Sequence, residues 1–269
     1  MKAARFRYER PSDLSSALAL MQGGEATALA GGQSLMPMMN FRLAQPEVLV
    51  DLNRVDGLSG ITEEADVLRI GAMTRYAALE ASDLIAARAP LIQRALPHIA
   101  HSAIRNRGTI GGSVALADPA AEMPALLIAL DARVTLRSAT AEREVAAEDF
   151  FLGIYETARA EDELVTQITL PKPTAGTKAG FYELARRHGD YAMAGCALTI
   201  GATPRVALFA VADRALRVPG AEAALADGNI DAAVAALDDL DFQGDPNADA
   251  PTKRHLSGVV LRRAWEGAA

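Results

Sequence analysis

One cysteine, Cys196, stands among 269 residues, and histidine appears only four times. A single thiol excludes an intrachain disulfide and any cysteine-ligated iron–sulfur cluster built from this chain alone. Its setting, Ala194-Gly195-Cys196-Ala197-Leu198, is apolar and predicts a buried, inert residue on a strand rather than a reactive thiol. His98 and His101 have the i, i+3 spacing that a metal could use on a helix. No third ligand accompanies them, and neither a zinc-type nor an HExxH pattern occurs. Basic charge is also short: 27 Lys and Arg face 34 Asp and Glu, a net charge of −7. Without a basic stripe, nothing points to a nucleic-acid partner. No apolar run approaches the roughly 20 residues that cross a bilayer. The opening MKAARFRYERPSDL lacks the apolar core of a secretory signal, so the expected location is the cytoplasm. GxSxG and the Rossmann GxGxxG are both missing, which removes serine hydrolysis and a stand-alone nicotinamide dehydrogenase. Half the residues are hydrophobic and 23% are charged, a globular profile at a length where chains divide into domains.

What the chain does have is two glycine pairs. Gly31-Gly32 lies in Ala30-Gly31-Gly32-Gln33-Ser34-Leu35, and Gly111-Gly112 lies in Thr109-Ile110-Gly111-Gly112-Ser113. Small and hydroxyl residues bracket both, rather than the charged residues of a surface turn. Glycine tolerates φ > 0 and lets backbone N–H groups come close to a ligand. Successive N–H groups in such a turn form an anion-binding concavity. Two such loops from separate parts of the chain could grip the two ends of one pyrophosphate; each alone could equally be a tight turn without a ligand. Ser34 is placed to cap a helix over 35–41, with Pro37 tolerated in its first turn. A phosphate at that N-terminus would meet free N–H groups and the positive end of the helix dipole. The second pair follows a helical stretch and is predicted to be a helix-to-strand turn.

In their full wording, AGGQSLMP and IRNRGTIGGSVALADPAAE together resemble the flavin-binding medium subunit of the molybdenum hydroxylases, the carbon monoxide dehydrogenase and xanthine dehydrogenase family. VLVDLNRV, DELVTQITLP, ARRHGDYAMAG and KRHLSGVVLRRA extend the resemblance, in order, over essentially the whole chain. It implies non-covalent FAD held by both glycine loops, and an oxidoreductase subunit with no acid–base residue of its own. It further implies a large subunit with a molybdenum-pterin centre, where substrate is hydroxylated, and a small subunit with two [2Fe–2S] clusters. The clusters would pass electrons to the FAD, the three chains forming a dimer of heterotrimers. Two other readings stay open: a self-sufficient FAD-dependent oxidase of a small molecule, and a binding module that has lost its flavin. The first would need a substrate pocket over the ring; intact glycines in both loops speak against the second.

Further candidates carry two readings each. Asp118 could contact the ribityl or ring end of a flavin, as the resemblance suggests, or cap the helix that ends at Leu130; the two are compatible. Glu122 lies beside it. Arg105 and Arg107 flank the second loop and could face a pyrophosphate or pair with local carboxylates. Tyr191, after the Gly189-Asp190 turn, could pack into the core or stack on a planar ring; the resemblance places an aromatic here next to the isoalloxazine. Glu183 stands where the family often has Lys, which puts a positive charge near the flavin's N1–C2 edge in doubt.

The predicted fold is α+β, in three parts. A small βαβαβ unit over residues 1–57 comprises a strand at 6–8, a helix from 14 capped by Ser12, a strand at 26–30, the helix 35–41 and a strand at 48–52. A larger mixed unit, 58–174, has a strand at 67–71 and a helix capped by Thr74. A helical stretch at 90–101 is divided at Pro97, and a helix at 121–130 carries an apolar stripe of Met123, Leu126, Leu127 and Leu130. Strands follow at 132–136 and 163–170, with Glu144-Val145 pairing against the first. Pro171-Lys172-Pro173-Thr174 reads as a linker. The last unit, 175–269, should be a three-stranded antiparallel meander (180–184, 192–200, 206–211) followed by helices at 222–237 and 253–265.

Overall fold

The computed structural model describes residues 2–268. Its first unit is a three-stranded parallel sheet with Val48–Asp51 between Arg7–Glu9 and Ala26–Leu29. A central parallel strand is covered on both faces, and all four residues of Val48–Asp51 are buried. The helix Leu14–Met21 packs Ala17, Leu18 and Met21 onto that sheet. Its cap is Asp13, not Ser12: the Asp13 carboxylate accepts from the Ser16 amide at 2.9 Å. The second helix, Leu35–Asn40, is a single short element after the first glycine loop. Ser34 stands at its N-cap without making the side-chain bond expected of it.

The second unit is a five-stranded antiparallel sheet in the order Ile61–Glu64, Val67–Gly71, Leu164–Pro171, Arg133–Arg137, Glu142–Ala146. Short helices between residues 76 and 129 cover one face and fill the core with Leu79, Ile85, Leu91, Ile92 and Leu126. Thr74 is not a helix cap either. Its hydroxyl bridges the amide and carbonyl of Gly60, at 3.0 and 3.1 Å, and the helix Tyr76–Glu80 starts two residues later. The helix Glu122–Ala129 departs from the single apolar stripe expected of it: all eight residues are buried. It is covered on every side because it lies between this unit and the C-terminal sheet, touching the strands Ala192–Ile200 and Arg205–Phe209.

That C-terminal sheet has four antiparallel strands rather than three, the short Leu216–Arg217 completing Lys178–Ala185, Ala192–Ile200 and Arg205–Phe209. The helix Ala250–Glu266 lies across the first two. Cys196 sits wholly inside, and burial pushes its thiol pKa up. No helix among the described residues is long and apolar enough to cross a membrane.

Candidate functional site

The three units meet around a cleft of about 730 Å³. The first glycine loop leaves the parallel sheet at Leu29, and the second begins a helix, Ile110–Leu116, that packs against the strand Leu164–Pro171. Ala30, Gly31, Gly32, Gln33, Ser34 and Leu35 line the cleft, facing Thr109, Gly111, Gly112 and Ser113 across it. Asp118 and Tyr191 line it further along. Ile110 points the other way and is fully buried in the core.

The two loops touch, and they offer different chemistry. A Cβ on Gly31 would lie 2.3 Å from the Arg107 carbonyl oxygen, so only glycine lets the first loop press against the backbone of the second. Gly32 has φ +72°, in the left-handed region. Among the described residues, the amide N–H groups of Gly31, Gly32, Gln33, Ser34 and Leu35 find no protein acceptor. Gly31 is buried and the four residues after it are half-buried, so this run of unspent donors, continued into the start of the helix Leu35–Asn40, forms a concavity on the cleft wall suited to an anion.

The second loop is not the helix-to-strand turn expected from sequence; Gly111 and Gly112 occupy the first turn of a helix. Its amides are engaged within the protein. Ile110 donates to the Thr74 carbonyl at 3.1 Å, Gly111 to Ala72 at 2.8 Å, and Gly112 to the capping Thr109 hydroxyl at 3.1 Å. Neither glycine has positive φ. Gly111 is needed for packing, because its Cβ would fall 2.4 Å from the Cβ of Ala72. This loop therefore supplies a wall and the hydroxyls of Thr109 and Ser113, the latter beside the buried Tyr76 phenol.

The cations nearest the loops in sequence are not the ones in the cleft. Arg105 pairs with Glu80 at 3.0 Å and donates to the carbonyls of Ile99 and Ala100, which leaves it as a local brace. The Arg107 carbonyl accepts from Arg75. Among the described residues, Arg159 and Arg186 are the lining cations instead. Arg159 reaches the cleft from the segment just before the central strand Leu164–Pro171, held by the carbonyls of Ala160 and Glu163 at 2.8 and 2.9 Å. Nothing in its sequence neighbourhood marks it.

An unengaged run of amides, a nearby guanidinium and a long cleft suit a bound diphosphate with a planar ring at one end. Comparison with known proteins decides between the classes of such ligands. Residues 4–173 match the family described as the FAD binding domain in molybdopterin dehydrogenase. Residues 179–268 match the CO dehydrogenase flavoprotein C-terminal domain. The chain belongs to the flavoprotein subunits of the molybdenum hydroxylases. It is 40% identical to the carbon monoxide dehydrogenase medium chain of Hydrogenophaga pseudoflava, over 98% of this chain and 97% of that one. It is 35% identical to the caffeine dehydrogenase subunit beta of Pseudomonas sp. strain CBB1, covering 100% of this chain and 96% of the relative. A solved structure of the Hydrogenophaga pseudoflava carbon monoxide dehydrogenase lacking the Mo-pyranopterin moiety of its molybdenum cofactor superposes with a TM-score of 0.95, covering the full length of both chains. The protein is thus an oxidoreductase subunit with an FAD-binding domain, and the residues present fit the cofactor.

The end of the cleft that Asp118, Glu122 and Tyr191 line is acidic and aromatic. Tyr191 is not packed in the core; it is 64% exposed, on the rim. Burial of its hydroxyl and the adjacent Asp118 carboxylate hold the phenol pKa above its ordinary value. Asp118 does not cap the following helix, whose N-cap position is Ala121. Its Oδ1 accepts from the Ala120 amide at 2.9 Å, closing a local turn, and its Oδ2 accepts from the Tyr155 hydroxyl at 3.4 Å. Glu183 is buried, with one oxygen 3.3 Å from Nδ1 of His98 and the other unpaired. His98 accordingly has its pKa raised, first by that hydrogen bond.

Glu122 also lines the cleft, where burial, then the neighbouring Glu183, push its carboxyl up to about 7. An acid whose pKa rises on folding contributes most stability below its unfolded value, 4.5 here, and loses it as pH climbs through the folded value. Relative to wild type, the FAD-free Glu122→Gln chain should therefore gain up to about 3 kcal/mol between roughly pH 4 and pH 8. Urea unfolding at both pH values measures this, and parallel pH dependence in the two proteins would contradict it.

Proposed function

We propose that this chain is the electron-transfer subunit of a heteromeric molybdenum hydroxylase, with non-covalent FAD in the cleft between its glycine loops. The observation that carries the reading is the run of five unspent amides from Gly31 to Leu35, pressed by Gly31 against the second loop. These amides and Arg159 hold the diphosphate. Thr109 and Ser113 offer hydroxyls along its path, and Asp118, Glu122 and Tyr191 surround the isoalloxazine end. Bound FAD supplies a carrier that accepts electrons singly and releases them in pairs. The chain's own part is to orient that ring, exclude water from one face and set the charge around it.

The remaining machinery belongs to partners. One cysteine and four histidines are too few to ligate two [2Fe–2S] clusters. We place a molybdenum-pterin centre in a large subunit, where substrate is oxidised, and the clusters in a small subunit that delivers electrons to this chain, in a cytoplasmic dimer of heterotrimers. Purification of the chain from its native source should bring down both partners, with molybdenum and iron. The chain produced alone and loaded with FAD should give no substrate-dependent dye reduction. Turnover by a rigorously partner-free preparation would instead establish a self-sufficient oxidase.

A further inference from the structure

Lys253 is 1% exposed, a position lysine occupies only when its charge is matched. Its three ammonium donors are each spent. They go to the Met193 carbonyl at 2.8 Å, the Ala210 carbonyl at 2.5 Å and the Asp245 carboxylate at 2.6 Å. Each acceptor belongs to a different segment; two of these segments line the cleft, and the third is bonded to the turn that carries Asp118. Met193 lines it and lies two residues past Tyr191 on the same chain segment. Asp245 turns its other oxygen to the amides of Asn247 and Ala248, at 2.7 and 3.0 Å, and Asn247 lines the cleft. Ala210 is held at φ +62°, a left-handed conformation unusual for a residue with a side chain. Its amide donates to the Pro119 carbonyl at 2.8 Å, next to Asp118. A strained residue persists where its surroundings over-determine it, and here a cation on one side and a carbonyl on the other do so.

We propose that Lys253 is a positioning residue for the flavin: through Met193, Ala210 and Asp245 it assembles the C-terminal wall of the cleft, setting Tyr191, the Asp118 turn and Asn247 against the ring end. This assigns a role to the KRHLSGVVLRRA stretch, which otherwise reads as one amphipathic helix, and it rests on the cleft being the FAD site. Asp245 supports it: burial raises its pKa, but the Lys253 ammonium and the Asn247 and Ala248 amides outweigh that and keep it ionised. Loss of the ammonium would leave a carboxylate and two carbonyls converging with no cation between them.

The test is FAD titration of the full-length chain, read by flavin fluorescence and the visible spectrum, beside circular dichroism. Lys253→Met keeps the length of the side chain and removes the charge. We expect its Kd for FAD to rise roughly tenfold or more, as displaced positioning groups do. Its visible bands should shift in the direction of Tyr191→Ala, and adding Tyr191→Ala should shift them no further. Ser257→Ala removes an equally buried bond on the same helix, to the Lys253 carbonyl at 2.8 Å. It should lower the melting temperature and leave Kd and spectrum unchanged. Lys253→Met with wild-type Kd and bands would overturn the assignment. Should that variant not fold, Asp245→Ala decides in its place: a raised Kd supports the role, and an unchanged one removes it. Wild-type FAD affinity in a Gly32→Val variant would instead bring down the cleft reading itself.

Discussion

Replacing Gly32 with valine is expected to strip FAD from a chain that remains folded. The residue sits at φ +72°, which a β-branched side chain adopts only under severe strain. An added Cβ would also lie 3.2 Å from the Met36 side chain and 3.3 Å from that of Leu29. The loop must re-form, and its five amides cease to converge. Losing two hydrogen bonds to a charged diphosphate, at roughly 1.5–3 kcal/mol each, weakens binding about a hundredfold or more. The fold rests on the buried strand Val48–Asp51 and the helix packed on it, neither of which contains the loop. Gly112→Val acts differently. Its Cβ would crowd the Thr109 hydroxyl at 2.8 Å and displace a helix cap, costing about 1 kcal/mol of stability and disturbing FAD less than Gly32→Val does. FAD stoichiometry and Kd beside circular dichroism measure both, and wild-type affinity in Gly32→Val would remove the first loop from the site.

Tyr191→Ala should change the flavin's visible spectrum and midpoint potential while hardly altering thermal stability. A side chain that is 64% exposed contributes little to the core, so its removal costs the fold little. Over a bound ring the same side chain supplies a π-face and a hydroxyl linked to Asp118. Tyr191→Phe separates the two contributions: it keeps the stacking surface, and its spectrum should stay close to wild type, with the remaining shift in potential reporting the hydroxyl. Unchanged spectrum and potential in Tyr191→Ala would place the residue away from the ring.

The parts of this molecule that could be read from sequence are those where one residue type answers one local demand. Gly32 marks a left-handed turn, and the close spacing of short apolar strands such as Ala192–Ile200 marks the C-terminal meander. The glycine pairs looked alike in sequence and turned out unlike in structure. Gly31-Gly32 leaves its amides free, whereas Gly111 is glycine so that a helix can approach Ala72 and spends its amide there. Packing across 39 residues of chain leaves no local signal. Arg105 looked available because it is near the loop, yet Glu80 holds it; Arg159, far along the chain, is brought in by the fold. The cap of the first helix is Asp13 rather than the adjacent Ser12, since neighbouring polar residues compete for the same amide. Lys253 gave no sign of burial, since its acceptors lie 8, 43 and 60 positions away.

Amide shifts of the isotopically labelled chain on addition of FAD test the central claim most directly. If the first loop holds the diphosphate, the N–H resonances of Gly31, Gly32, Gln33, Ser34 and Leu35 will move strongly downfield as they gain charged acceptors. Those of Ile110 and Gly111, already bonded to Thr74 and Ala72, will move far less. Large shifts at Ile110 and Gly111 with a silent first loop would contradict the proposed binding mode.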